Sequence, residues 1–296
     1  MINLILFLCF VPLIFIIYFM LRSYVKPKNN ILLGVTLPLS AHKEEEIIYI
    51  CRQYLSRLKL VMLPLIILAI PPYFFDTTGA ILAWFLCWTI LALLLPAFVY
   101  AKHRKLLLEL KEEKDWYIDK KADEDAYWIW GYFYKNPNNN KLFIKAMYHK
   151  NVTMNMAKPA GKVIMFITLL LILCMPLLGL WLYHEEVAPI KLVLSESTLT
   201  AHHIRDRYVI QLDAIESLEL AETLPHLTRL SGMGLDNLKR GMFRSSEYGT
   251  VRVLINPQNP PFLLATSSGN VYILSDDDNS YTREVYAILS ALLQLR

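Results

Sequence analysis

Four long apolar runs organise the first two thirds of the chain, and a two-residue alternation organises the rest. Asn3 to Leu21, Leu60 to Phe75, Gly79 to Tyr100 and Val163 to Tyr183 carry no charged side chain. About 20 apolar residues of helix cross a hydrocarbon layer roughly 30 Å thick, so each run reads as a membrane span. The first lacks a basic n-region and a small-x-small cleavage site, which favours an uncleaved anchor over a signal peptide. The second is slightly short, but Arg57 and Lys59 can reach the headgroups. Its Pro64, Pro71 and Pro72 are kinks that neighbouring helices tolerate in a bundle. Only Asp76-Thr77-Thr78 separates the second run from the third, which predicts a tight helical hairpin.

From Pro189 the pattern has period two. Ile190 to Leu194, Thr198 to Ile204, Tyr208 to Leu212, Ile215 to Leu220, Val251 to Ile255, Phe262 to Thr266 and Val271 to Leu274 read as seven short strands. Leu224 to Gly249 reads as a polar, glycine-bearing connection, with Gly232 and Gly234 as turn glycines. A final helix places Tyr281, Val285, Ile288, Leu289, Leu292 and Leu293 on one stripe, with Asp276 to Asp278 at its positive N-terminus. The expected fold class is an α+β membrane protein: four transmembrane helices plus a C-terminal β-barrel or sandwich capped by one helix.

Composition agrees with that pattern. The 296 residues are 55% hydrophobic and 19% charged, with a mean hydropathy of +0.35, an apolar content soluble domains seldom reach. Charge then sets an orientation. Arg22 to Lys59 holds seven Lys or Arg and Lys102 to Lys162 holds thirteen, whereas none precedes the first run. The positive-inside rule puts both basic loops in the cytoplasm, and the N-terminus and C-terminal domain outside. The partition is then 1–22 first span, 23–59 cytoplasmic basic segment and 60–100 transmembrane hairpin. There follow 101–162 as a cytoplasmic module, 163–183 as the fourth span and 187–296 as an extracytoplasmic domain. This partition predicts a multi-pass membrane protein.

The mixed charges of 102–125 read as a solvated helix face extending the third span, with a phospholipid-facing basic surface as the sharper option. The aromatic run Tyr127 to Tyr134 reads as one strand-like segment closed by Asn136-Pro137-Asn138, with Leu142-Phe143-Ile144 as a short return strand. Such aromatics could stack on bases, but no extended basic groove accompanies them, so packing at the bilayer interface is favoured over nucleic acid. Trp130, Gly131, Tyr134, Asn136 and Pro137, with Asn155, Pro159, Gly161 and Lys162 further on, resemble DUF5808. That family is a small cytoplasmic module between helices of bacterial membrane proteins. The resemblance covers roughly 127–162, with Gly34-Val35-Thr36-Leu37-Pro38 as its usual upstream companion; it implies architecture and no activity. Asn138 to Asn140 and Lys145-Ala146 depart from its usual acidic turn and more basic pair. The strands and last helix of 187–295 resemble the PH-like domains that follow transmembrane helices in bacteria. Ser195-Glu196-Ser197 stands where phosphoinositide binders need a basic cluster, so headgroup binding does not follow.

Little chemistry is legible. His202 and His203 are adjacent in a strand and point to opposite faces. Cys9, Cys51, Cys87 and Cys174 read as small hydrophobes, and His184-Glu185-Glu186 as a solvated linker. No GxSxG, HExxH or lysine-bearing glycine loop occurs. The spans lack interior ionisable residues, which argues against an ion-coupled pump. The expectation is no catalytic, cofactor-binding or metal residue and no cofactor. The function expected is a non-catalytic membrane protein presenting an interaction domain in a regulatory, stress-response or immunity role. Its partners would be the lipid bilayer and another protein; ligand and oligomeric state stay open. The alternative is a membrane enzyme or transport-complex subunit with an unrecognised polar site.

Overall fold

The computed structural model describes residues 2–145 and 152–294; Ala146 and the rest of 146–151 lie outside them. The chain divides into two compact units, one of Met1–Asp76 with Ala80–Leu180, the other of Thr77–Gly79 with Trp181–Arg296.

The first unit is built on four helices, α1 (Ile2–Ser23), α2 (Glu45–Ile67), α3 (Thr78–Glu113) and α4 (Pro159–Val187), the last two running on into the second unit. Three helical stretches, Glu45–Phe74, Thr78–Glu113 and Pro159–Val187, are long and apolar enough to cross a membrane, and α1 contributes the shorter apolar stretch Pro12–Ser23. On α1, Phe10, Ile14, Ile17 and Leu21 form a buried stripe at helical spacing. Phe10 meets Phe85 and Trp88 of α3 edge-on, with ring centroids 5.0 and 4.5 Å apart.

The second apolar run differs from expectation. Helix α2 starts at Glu45, inside the basic segment, and its regular turns stop at Ile67; Pro71–Phe74 form a 3-10 turn before α3. Proline supplies the reason: Pro72 has no N–H for the Leu68 carbonyl four residues back. Trp84 Nε1 donates to that carbonyl at 2.8 Å, and Trp88 Nε1 donates to the Leu65 carbonyl at 2.8 Å. The tryptophans of α3 thus satisfy the frayed end of α2, and the connection is longer than a three-residue turn.

Small hairpins fill the loops. β1 (Ile31–Leu32) and β2 (Val35–Thr36) are joined by Leu33 and Gly34, both at positive φ, as a type I′ turn requires. The aromatic run is not one strand. It folds as β3 (Trp128–Ile129) and β4 (Phe133–Tyr134) around Trp130 and Gly131, which also have positive φ. Phe143 and Ile144 lie in β5 (Phe143–Lys145), which pairs with β6 (Val152–Met154) and not with the aromatic run.

Among the described residues the second unit holds nine strands, two more than expected. β7 (Lys191–Leu194), β8 (Thr198–His203) and β9 (Asp206–Gln211) form an antiparallel three-stranded sheet. β10 (Ile215–Ala221), β11 (Leu227–Gly234), β12 (Lys239–Ser245), β13 (Gly249–Ile255), β14 (Phe262–Ser267) and β15 (Asn270–Leu274) form a second sheet in the order β10-β14-β15-β13-β12-β11. β13 and β15 are parallel, and the other pairs are antiparallel. The extra strands are β11 and β12, where the sequence reads as a connection. Gly232 and Gly241 face each other across that pair, and a Cβ on Gly232 would lie 2.2 Å from the Arg240 carbonyl oxygen. Those glycines permit close strand approach and are not loop turns.

Helix α5 (Asn279–Gln294) buries Val285 and Leu289 with Leu192, Leu199, Ile210, Leu254 and Leu274 from both sheets. A second cluster gathers Phe243, Val251, Val253, Phe262 and Ile273. The buried face of α5 comprises Thr282, Val285 and Leu289, flanked by half-buried Tyr286 and Leu293, so Ile288 and Leu292 are not core: they are 42% and 46% exposed. The face is rotated by roughly 50° from the expected stripe, taking 3.6 residues per turn. Thr282 supplies the reason, since its hydroxyl accepts the Asp276 N–H at 2.9 Å and turns inward.

Candidate functional site

The resemblance motif folds as a scaffold around two buried knots. In the first, Asn155 is wholly buried; its Oδ1 accepts the N–H groups of Asn136 (3.1 Å) and Ala157 (3.0 Å), and its Nδ2 donates to the Asn136 and Asn139 carbonyls at 2.8 and 3.0 Å. Asn136 Nδ2 donates to the Tyr134 hydroxyl, and that hydroxyl donates to Glu124, each at 3.0 Å. Gly161 lies so close that a Cβ there would be 2.3 Å from the Asn155 carbonyl oxygen. Tyr134, Asn136, Asn155 and Gly161 are therefore brought together, with every amide valence of Asn155 used. Pro159 opens α4, a position where its missing N–H costs nothing. Pro137, Pro159 and Lys162 are exposed and outside the knot, as is the indole of Trp130.

The second knot is centred on α3 and was not singled out in the sequence. Arg104 and Lys111 are 3% and 2% exposed, so the solvated-face reading of 102–125 fails for both. Arg104 Nε donates to the Gly34 carbonyl at 3.2 Å and its Nη2 to the Asp125 carbonyl at 2.7 Å. Lys111 Nζ lies 2.5 Å from Asp123 and 2.6 Å from Asp125, whose carboxylate also accepts the Thr36 N–H (2.7 Å) and hydroxyl (3.1 Å). Burial pushes the Asp125 carboxyl above its ordinary range, and the Lys111 and Thr36 bonds pull the other way. A Cβ on Gly34 would lie 2.3 Å from the Tyr100 hydroxyl, and one on Gly131 2.6 Å from the same atom. The two glycine turns thus clasp one tyrosine–arginine edge of α3. A signal did exist: Tyr100, Arg104, Leu107 and Lys111 recur at helical spacing and are all buried. The solvated reading does hold for Lys105 and Glu109, an exposed i,i+4 pair at 3.5 Å. Lys114 pairs instead with Glu46 of α2 at 3.1 Å.

In the second unit, Glu185 and Glu186 are buried and not solvated. The Glu186 carboxylate accepts the Thr78 N–H at 3.0 Å and the Gly79 N–H, covering orphan donors at the start of α3. Glu185 lies 3.0 Å from Arg240 of β12, which also pairs with Asp206, and His203 Nε2 donates to the Glu185 carbonyl at 3.0 Å. This cluster ties the strands to Glu185, in the last turn of α4, within the same unit. Among the described residues no three His, Cys, Asp or Glu side chains converge on a metal position. A groove of about 1060 Å³ between α2 and α3 is lined by Glu45, Tyr49, Arg52, Leu106 and Glu113 among others.

Residues 190–285 match the family model of the bacterial PH domain. The match covers about a third of the chain, from the first strand of the PH-like unit into its capping helix. No curated protein and no solved structure matches the chain.

Proposed function

We propose that the chain is a non-catalytic, four-span protein of a bacterial cell membrane whose helices present the PH-like domain outside and a DUF5808-like module inside, acting through protein contacts. The observation that carries this reading is the free flank of the six-stranded sheet. Strand β11 is an edge with no partner beyond it among the described strands, and Leu230 on it and Met242 on β12 are 48% and 45% exposed. An edge strand with exposed apolar side chains is a template for strand addition by a partner segment. Regulation, stress response or immunity are the roles such a display suits. Two measurements test it. Cysteine labelling in intact cells should reach Asn270→Cys and spare Asn139→Cys; the reverse pattern refutes the orientation. A photo-crosslinker at Leu230 should trap a discrete protein in native membranes more strongly than one at Asp213; equal, diffuse crosslinking from both refutes the edge as the contact surface.

A further inference from the structure

The β3–β4 hairpin carries its apolar groups on the wrong side for a soluble module. Trp128 is buried beneath it, yet Trp130 at its tip is 65% exposed and Ile129 37%. Trp130 also has φ +54°, a left-handed conformation unfavourable for a bulky side chain. Asn or Gly would relieve that strain, and strain of this kind concentrates where a side chain has a task.

The depth of the tip follows from its packing. The apolar run Gly79 to Tyr100 comprises 22 residues, about 33 Å of helix, enough to cross a hydrocarbon layer of about 30 Å and end at Tyr100. The neighbouring helices agree on this level: Tyr24, just past α1, is 5.3 Å from the Tyr100 ring, and Tyr54 of α2 donates to the Leu21 carbonyl at the end of α1. Gly131, next to Trp130, packs on that same Tyr100 and on Arg104, and Tyr132 lies 5.0 Å from the Tyr100 ring. The exposed indole is thus held at the height where the third span leaves the bilayer. Phe133 meets it edge-on at 6.2 Å, and Lys102, Lys105 and Lys135 are exposed. Aromatic rings with an N–H handle beside lysines are the composition of a headgroup layer.

We propose that the Ile129–Trp130–Phe133 tip is an interfacial anchor that inserts into the headgroup region of the lipid bilayer and fixes the module against the membrane surface. The proposal rests on α3 spanning the bilayer, so the experiment tests both. The full chain, with Cys9, Cys51, Cys87 and Cys174 replaced by Ala, receives one nitroxide at a time at Trp130→Cys, Leu94→Cys or Asn139→Cys. Each is reconstituted in phosphatidylethanolamine–phosphatidylglycerol vesicles, and relaxation by oxygen is compared with that by an aqueous nickel chelate. The oxygen-to-nickel ratio at position 130 should fall between the other two and exceed that at 139 several-fold. A ratio at 130 equal to that at 139, with position 94 shielded from nickel, overturns the anchor alone; nickel access at 94 overturns the span and the anchor together. A second measurement leaves the cysteines in place. The emission lost in Trp130→Phe relative to the parent chain should be quenched by headgroup-level nitroxide lipid more than by aqueous iodide, and stronger iodide quenching overturns the proposal.

Discussion

Replacing Leu289 by Ala separates a capping role for α5 from a peripheral one. Leu289 is 2% exposed and packs in the cluster shared by both sheets, whereas Leu292, one position further along the expected stripe, is 46% exposed. Leu→Ala removes three carbons. At about 0.8 kcal/mol per buried CH₂ the transfer loss is about 2.4 kcal/mol, and the cavity left behind carries such changes into a range of about 2–5 kcal/mol. For a fragment of about 110 residues the unfolding entropy is about 0.23 kcal/mol/K, so a loss near 3 kcal/mol lowers the melting midpoint by about 13 °C. Leu292→Ala, on the solvent side, should shift it by no more than about 2 °C, the ordinary range of surface substitutions. The assay is far-ultraviolet circular dichroism of the fragment 187–296 during heating, with the β-rich spectrum and cooperative melt of the parent fragment as baseline. Equal, small shifts from both variants would refute the reasoning, since α5 would then not close the two sheets.

Three other outcomes follow from the geometry. Lys111→Ala should destabilise the detergent-solubilised chain by about 3–5 kcal/mol, because it leaves the Asp123 and Asp125 carboxylates unpaired; adding Asp125→Ala should restore part of the loss, and strictly additive thermal shifts would show that the pair is not coupled. Gly131→Ala should lower the melting midpoint, because its Cβ would meet the Tyr100 hydroxyl at a φ of +76°, while Gly249→Ala, also at positive φ but with open space around it, should cost less. Asp278 receives hydrogen bonds from Ser280 and the Tyr281 N–H that hold its carboxyl below the ordinary 3.8. Its stabilising contribution is present above pH 3.8 and lost as pH falls through the lower folded value. Asp278→Asn should therefore flatten the acid limb of the fragment's stability profile below about pH 4, after allowance for Asp277, whose carboxyl is shifted the opposite way by burial. An unchanged acid limb refutes the cap.

What the sequence determined by itself is whatever local periodicity carries. The apolar runs place helices over most of 2–23, 60–67, 78–100 and 163–187, because a helix in hydrocarbon needs continuous apolar length and little else. Alternation placed seven of the nine C-terminal strands, because each turns one face to a shared core. The Asn136 to Lys162 motif was visible as residue types, and Asn155 earned its place through four hydrogen bonds that no spacing rule specifies. Tertiary structure alone decided the rest. Strand β11 lacks alternation because most of its residues are exposed on both sides, and β12 alternates only from Met242 to Ser245, past the glycine pair that lets the two strands approach. Arg104 and Lys111 read as solvent-facing from their charge, yet carbonyls and carboxylates 12 to 70 positions away surround them. The turn of α5 followed from one threonine hydroxyl drawn inward by Asp276. Periodicity reports which face of an element is apolar; only the assembled chain reports which polar groups find partners, and in a low-dielectric interior those partners fix where a charge can be buried.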